Sequence, residues 1–201
     1  MKFYDISLSL SHSTTVWPGD PLFTRTETKT SAIKSTLTFT THTGTHIDAP
    51  KHFLFDKAGI DKIPVSALIG RFRVCQVKTK NQITLADIES LRIKPGQRIL
   101  FKTRNVRLIN KPFTQSYVSL SLEAAQFLVK QKILLVGIDY FGIEAKGNPG
   151  HPVHTSLLAK NIVIVEGLQL GGVRPGTYHG AILPIKIKDS DGAPCRAVLW
   201  K

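Results

Sequence analysis

The chain has 201 residues, 42% of them hydrophobic, and 27 Lys and Arg against 14 Asp and Glu, for a net charge of +13. This length and apolar content suit one compact domain with a sizeable core and at most a protruding hairpin, and they exclude a disordered polypeptide. The longest apolar runs, ILLVGI at 133–138 and IVIV at 162–165, are strand-length and far short of the roughly 20 residues that span a bilayer. The N-terminal MKFYDISLSL matches a signal peptide poorly, so the expectation is a cytoplasmic protein with no membrane segment. Two cysteines, Cys75 and Cys195, are too few for a disulfide framework and lack C-x-x-C spacing, so both read as buried small apolar residues. The basic residues are scattered from Lys2 to Lys201 in short clusters such as Lys78 with Lys80 and Arg104 with Arg107. Such a pattern supports a general attraction for anions and no specific nucleic-acid partner.

In chain order, FYDISLS at 3–9 and the alternating, β-branched STLTFTT at 35–41 read as strands, followed by RFRVCQVK at 71–78 and residues 97–102. A short helix follows Thr84 (LADIESL). A longer one is capped by Ser121 and runs through LEAAQFLVKQK, with Glu123 in its first turn and Lys130 and Lys132 at its end, matching the helix dipole. A buried strand at 133–138, a Gly/Pro-rich loop at 142–152, a short helix at 155–160 and a strand at 162–166 form a crossover unit. Strands at 180–188 and 195–200 complete the chain. Apolar strands alternating with helices predict a mixed, strand-rich α/β class whose partly parallel sheet is covered on both faces.

Residues 41–52 read THTGTHIDAPKH and hold three of the seven histidines. In an extended chain His42, Gly44, His46 and Asp48 share one face, but four residues span about 13 Å whereas a zinc ligand lies about 2.0–2.1 Å from its metal. Gly44 can bend the chain, bringing both histidines to one metal or setting them on two. Asp48 adds an anionic oxygen able to bridge two cations. These residue types suit zinc or manganese, and such a site lowers the pKa of bound water toward about 7, which points to hydrolysis. Capping or core histidines in a Thr-rich turn are the alternative. The spacing H-x3-H-x-D-x3-H, interrupted by Gly and Pro, favours the metal site and leaves the reaction open. His154 taken alone reads better as the cap or first-turn residue of a short helix than as a ligand. Glu166 ends an apolar strand, where a carboxylate is costly unless paired or bound to a cation.

The segment HTGTHIDAPKH resembles the H-x-G-T-H-x-D-x-P-x-H signature of the cyclase family of metal-dependent hydrolases, which includes bacterial kynurenine formamidases and isatin hydrolases. VWPGD at 16–20, LSLEAAQFL at 120–128, LLVGID at 134–139, HPVHTSLL at 151–158, IVEGLQL at 164–170, PGTYHGAILPIKI at 175–187 and DGAPCRAVL at 191–199 are similar to further family blocks in family order. The resemblance covers essentially the whole chain. It implies a single domain over 1–201 with a swivelling β/β/α fold, a central barrel-like mixed sheet and flanking helices, assembled as a homodimer or homotetramer. It also implies that His42, His46, Asp48, His154 and Glu166 are metal ligands holding two divalent cations per chain, zinc before manganese, with Asp48 bridging. His52 is then the general acid/base and Trp17 lines the substrate pocket. The implied reaction is hydrolysis of an amide C–N bond in a small molecule, N-formyl-L-kynurenine giving L-kynurenine and formate. Lactam hydrolysis of the isatin type and metal-assisted cyclisation or dehydration are the alternatives, and a basic metal-binding module without activity is a third. Two departures bear on the substrate: Phe141-Gly142, where relatives often have Leu-Ser or Pro-Ser, and the strong basic charge. His151 reads as structural, and His12 and His179 carry no assignment.

Overall fold

The computed structural model describes residues 1–201. The strands are β1 (Phe3–Asp5), β2 (Thr24–Lys29), β3 (Ile33–Thr38), β4 (His46–Asp48), β5 (Ile69–Gln76), β6 (Gln82–Ile83), β7 (Arg98–Lys102), β8 (Ser119–Leu120), β9 (Leu135–Ile138), β10 (Val163–Glu166), β11 (Gly176–Pro184) and β12 (Gly192–Trp200). The α-helices are α1 (Val65–Leu68), α2 (Leu85–Ile88), α3 (Leu122–Lys130) and α4 (Pro152–Leu158). Seven strands follow one another around a ring in the order β12-β11-β5-β7-β9-β10-β4. The ring closes because the short strand β4 pairs antiparallel with both β10 and β12. Closure removes the unpaired edges that an open sheet would expose. The β5-β7-β9-β10 arc is parallel, as its helical crossovers require.

Period-two alternation divides the side chains of the parallel arc between two cores. Leu135, Val163 and Val165 point into the barrel with Ile47, Phe72 and Leu100. Val136, Ile138 and Ile164 point outward onto Ala124, Ala125 and Leu128 of α3 and Leu157 of α4. Strands buried on both faces must read as continuous apolar runs, and LVGI and VIVE do, apart from the terminal Glu166. Gly137 faces the crowded interior, where a Cβ would come within 2.6 Å of Leu168 and 2.7 Å of Leu100.

The strand-rich mixed class and the capped helix α3 agree with the sequence reading; the Ser121 hydroxyl accepts the Ala124 N–H at 3.1 Å. Several boundaries differ for identifiable reasons. The strand expected at 3–9 ends at Asp5: the Ile6 N–H still reaches the Ala197 carbonyl, but the amides after it turn to side chains, Ser7 N–H to Asp5 and Leu8 N–H to Thr45. The strand expected at 35–41 is β3, whose only partner is β2, and every residue of this hairpin is exposed. TRTETK has no apolar alternation, so β2 is a strand through pairing and not through burial. The helix expected at 155–160 begins instead at Pro152, a residue suited to a first turn, which carries His154 into that turn. The last two strands start earlier than expected, at 176 and 192, drawn out by pairing with β5 and β4. No helix is long and apolar enough to cross a membrane.

Asp139, at the end of β9, is fully buried and accepts the Thr103 N–H and hydroxyl at 2.7 and 2.9 Å. Burial outweighs these bonds and raises its pKa from 3.8 to about 6. A raised carboxyl contributes stability below its unfolded pKa and loses it as the pH climbs through the folded value. Denaturant titrations should therefore show wild type losing roughly 2 kcal/mol relative to Asp139→Asn between about pH 4 and about pH 7.

Candidate metal centre

Barrel closure builds the site. Because β4 lies between β10 and β12, His46 stands directly opposite Glu166 of β10, and Asp48, two residues on, projects from the same face. Gly44, at φ +70, turns the chain ahead of β4 and sets His42 beside that face. Its carbonyl lies so close to Gly167 that a Cβ on residue 167 would sit 2.2 Å from it, so this contact requires glycine at 167. His154 arrives from the first turn of α4. His52 ends the short 3-10 turn Pro50–His52 that follows β4.

The polar atoms converge and pair with one another, except for one oxygen of Asp48. His46 gives its Nδ1 hydrogen to the Gly44 carbonyl at 3.0 Å, which leaves Nε2 facing Asp48 Oδ1 at 3.4 Å and Glu166 Oε2 at 3.5 Å. His154 gives its Nδ1 hydrogen to Glu144 at 2.7 Å, leaving Nε2 3.3 Å from Glu166 Oε1 and 3.8 Å from Asp48 Oδ2. His42 lies between two carboxylates, Nδ1 3.0 Å from Asp48 and Nε2 3.0 Å from Asp191. Asp48 Oδ2 is buried with no hydrogen-bond partner. Leaving such an oxygen unsatisfied is expensive, and a cation among these lone pairs removes the cost. Two groups have ligand atoms within 4.8 Å of one another and share Asp48: His42, His46 and Asp48, and then Asp48, His154 and Glu166. The donor set fits divalent metal.

The titration behaviour has the same origin. Burial opposes charge on the histidines, yet the facing carboxylates outweigh it, raising His42 to about 9 and His46 and His154 to about 10. Burial likewise works against ionised Asp48 and Glu166, but the neighbouring histidines hold both below their usual values. His52 differs: burial lowers its pKa, and the attraction of Asp48 does not compensate. In neutral solution it is an uncharged imidazole, its ring tilted against that of His42 with centroids 3.9 Å apart and its Nδ1 3.6 Å from Asp191.

The cluster opens on a cavity of about 250 Å³ whose walls include Trp17, Phe53, Phe141, Lys146 and His151. Trp17 is at the wall, as expected, packed edge-on against Phe113 at 5.0 Å. Gly142 makes room for it, since a Cβ there would come within 2.8 Å of the indole. His151 lines the cavity too, its ring 4.5 Å from Phe53. His12 packs by Phe23 and His179 stacks on Trp200.

Two participants escaped the sequence reading. Asp191 joins His42 and His52 from the turn before β12, and the only local sign of it is its place at the head of DGAP. Glu144 accepts the backbone N–H groups of Val153 and His154 as well as the His154 ring, and its sign is an acid in the otherwise apolar YFGIE. A carboxylate that orients a ligating imidazole tunes metal affinity by about 10–100-fold. Glu144→Gln is therefore expected to weaken metal binding by that factor in chelator competition, with an unchanged circular dichroism spectrum.

The family model described as "Putative cyclase" matches residues 4–145. The chain belongs to the cyclase family. A kynurenine formamidase of Salinibacter ruber is 34% identical, with 99% of this chain and 97% of that protein covered. A solved structure described as a potential metal-dependent hydrolase with cyclase activity is 33% identical with a TM-score of 0.90, covering 98% of this chain and 96% of its own. An isatin hydrolase bound to the product analogue thioisatinate shares the fold at a TM-score of 0.86 and 18% identity, over 98% of this chain and 91% of that one. These relatives bear out the reading of the cyclase-family chain as an amide hydrolase with a barrel-like mixed sheet, and the cluster it carries is that of a divalent-metal site.

Proposed function

We propose that this cyclase-family chain hydrolyses the formamide C–N bond of an N-formyl arylamine, with N-formyl-L-kynurenine as substrate and L-kynurenine and formate as products. Two divalent cations, zinc before manganese, are held by His42, His46 and Asp48 and by Asp48, His154 and Glu166. The observation that carries this reading is the pair of largely buried three-ligand groups sharing Asp48, open to an aromatic-walled cavity beside a neutral histidine. Zinc ranks above manganese because such sites bind it more tightly.

When bound, the cations supply an activated water and a Lewis acid for the carbonyl oxygen. Trp17, Phe53 and Phe141 take the aryl ring and exclude bulk water. Asp191 lies 3.6 Å from Nδ1 of His52, where its charge favours the tautomer with the proton on Nδ1 and leaves Nε2 for the substrate. His52 collects a proton from the attacking water and hands it to the leaving nitrogen as the C–N bond breaks, so that the arylamine departs neutral and formate retains the oxygen.

The test is elemental analysis of protein purified without added metal, coupled to an N-formylkynurenine assay. About two metals per chain and stoichiometric formate support the reading. Fewer than about one metal per chain, with no activity recovered on adding zinc or manganese, overturns it.

A further inference from the structure

The proposed reaction uses the histidines and carboxylates at the cavity floor and leaves one charged group on the wall without a task. Lys146 is the one Lys or Arg lining the cavity. The ion pairs formed by Lys and Arg in this chain are Arg25–Glu27, Lys51–Asp189, Lys62–Asp61 and Arg196–Asp5, so Lys146 is unpaired. It is not neutralised even by Asp20, the wall's carboxylate outside the metal cluster, which instead accepts the Thr40 hydroxyl at 3.2 Å.

Its position is nonetheless defined. The Tyr117 hydroxyl donates to the carbonyl of Glu144, two residues before Lys146, and ties this segment to the aromatic wall. The ammonium lies 5.7 Å from the centre of the Phe113 ring, and Phe113 packs against Trp17. An aromatic wall thus ends in a fixed cation. Lys146 is half-buried without a protein counter-ion, and holding an unpaired ammonium partly out of water carries a cost. An anion entering with the substrate removes that cost, and the chain's +13 charge draws anions toward the protein.

We propose that Lys146 is a specificity-determining residue that pairs with a carboxylate on the arm of the substrate remote from the scissile bond, selecting N-acyl arylamines that carry a free acid. The inference rests on the hydrolase reading above and extends it to the wall.

The experiment compares wild type, Lys146→Met and Lys146→Arg, each with its metal content measured, on N-formylkynurenine, its methyl ester and formanilide. Loss of a charge-assisted hydrogen bond should raise KM for N-formylkynurenine by about 10–100-fold in Lys146→Met, with kcat within about twofold. The ester and formanilide should be unaffected, and Lys146→Arg should recover most of the loss. An equal effect on all three substrates, or none on N-formylkynurenine, overturns the assignment. Turnover of none of them by metal-loaded wild type would overturn the hydrolase reading instead. Calorimetric titration with kynurenine and its methyl ester then decides Lys146 separately: a preference for the free acid that disappears in Lys146→Met supports the pairing, and equal affinities overturn it.

Discussion

Replacing His52 with alanine is expected to lower kcat by about 10²–10⁴-fold, the usual worth of a positioned acid/base, while metal content stays at the wild-type level. The structure separates His52 from the other histidines of its motif. His42, His46 and His154 face carboxylates that raise their pKa values, whereas burial lowers that of His52. His52 is outside both ligand groups that share Asp48 and clusters instead with His42 and Asp191 at the rim. The measurement is kcat beside elemental analysis on the same preparation. Turnover unchanged within about twofold would remove His52 from the reaction, and a parallel loss of metal would make it a ligand.

Asp48→Asn should lose metal from both groups at once, lowering bound metal by more than about tenfold and abolishing turnover. Asp48 is the one residue common to both, and its buried Oδ2 is the unsatisfied atom that a cation completes. The pH dependence follows from the same geometry. In the metal-free protein, raised histidines contribute stability that is complete below about 6.5 and lost as the pH climbs through about 9 to 10. Metal displaces those protons, so affinity should rise with pH between about 6 and 9 and loading should release protons. Calorimetry in buffers of different ionisation enthalpy reads that release. The metal-induced gain in Tm should be larger at about pH 9 than at about pH 7, where protons already occupy part of the site. A gain independent of pH would separate the histidines from the metal.

Much of the centre was legible in the sequence because its chemistry is local. The spacing of His42, His46, Asp48 and His52, with Gly44 at a bend and Pro50 opening a turn, lies within a single short segment. Glu166 was visible as an acid ending an apolar strand, a placement that burial makes costly without a partner. His154 became a credible ligand only through the family resemblance, since a histidine in a helix's first turn has no distinctive local pattern. Asp191 and Glu144 were missed for different reasons. Asp191 reaches His42 across 149 positions, which no local pattern reports. Glu144 lies in a loop read only for Phe141-Gly142. Strand β2 was missed because TRTETK is exposed along its whole length, and hydrophobic periodicity is silent where nothing is buried.

The sequence by itself determined the kind of chemistry: imidazoles and carboxylates at ligand-like spacing, a glycine able to turn the chain, and apolar strands able to carry a covered mixed sheet. Only the tertiary structure decided which atoms meet. The register of β4 between β10 and β12 puts His46 opposite Glu166, α4 brings His154 to the same carboxylate, and the turn before β12 delivers Asp191. Residue type and backbone bend belong to short segments, whereas the meeting of these side chains depends on closing the ring.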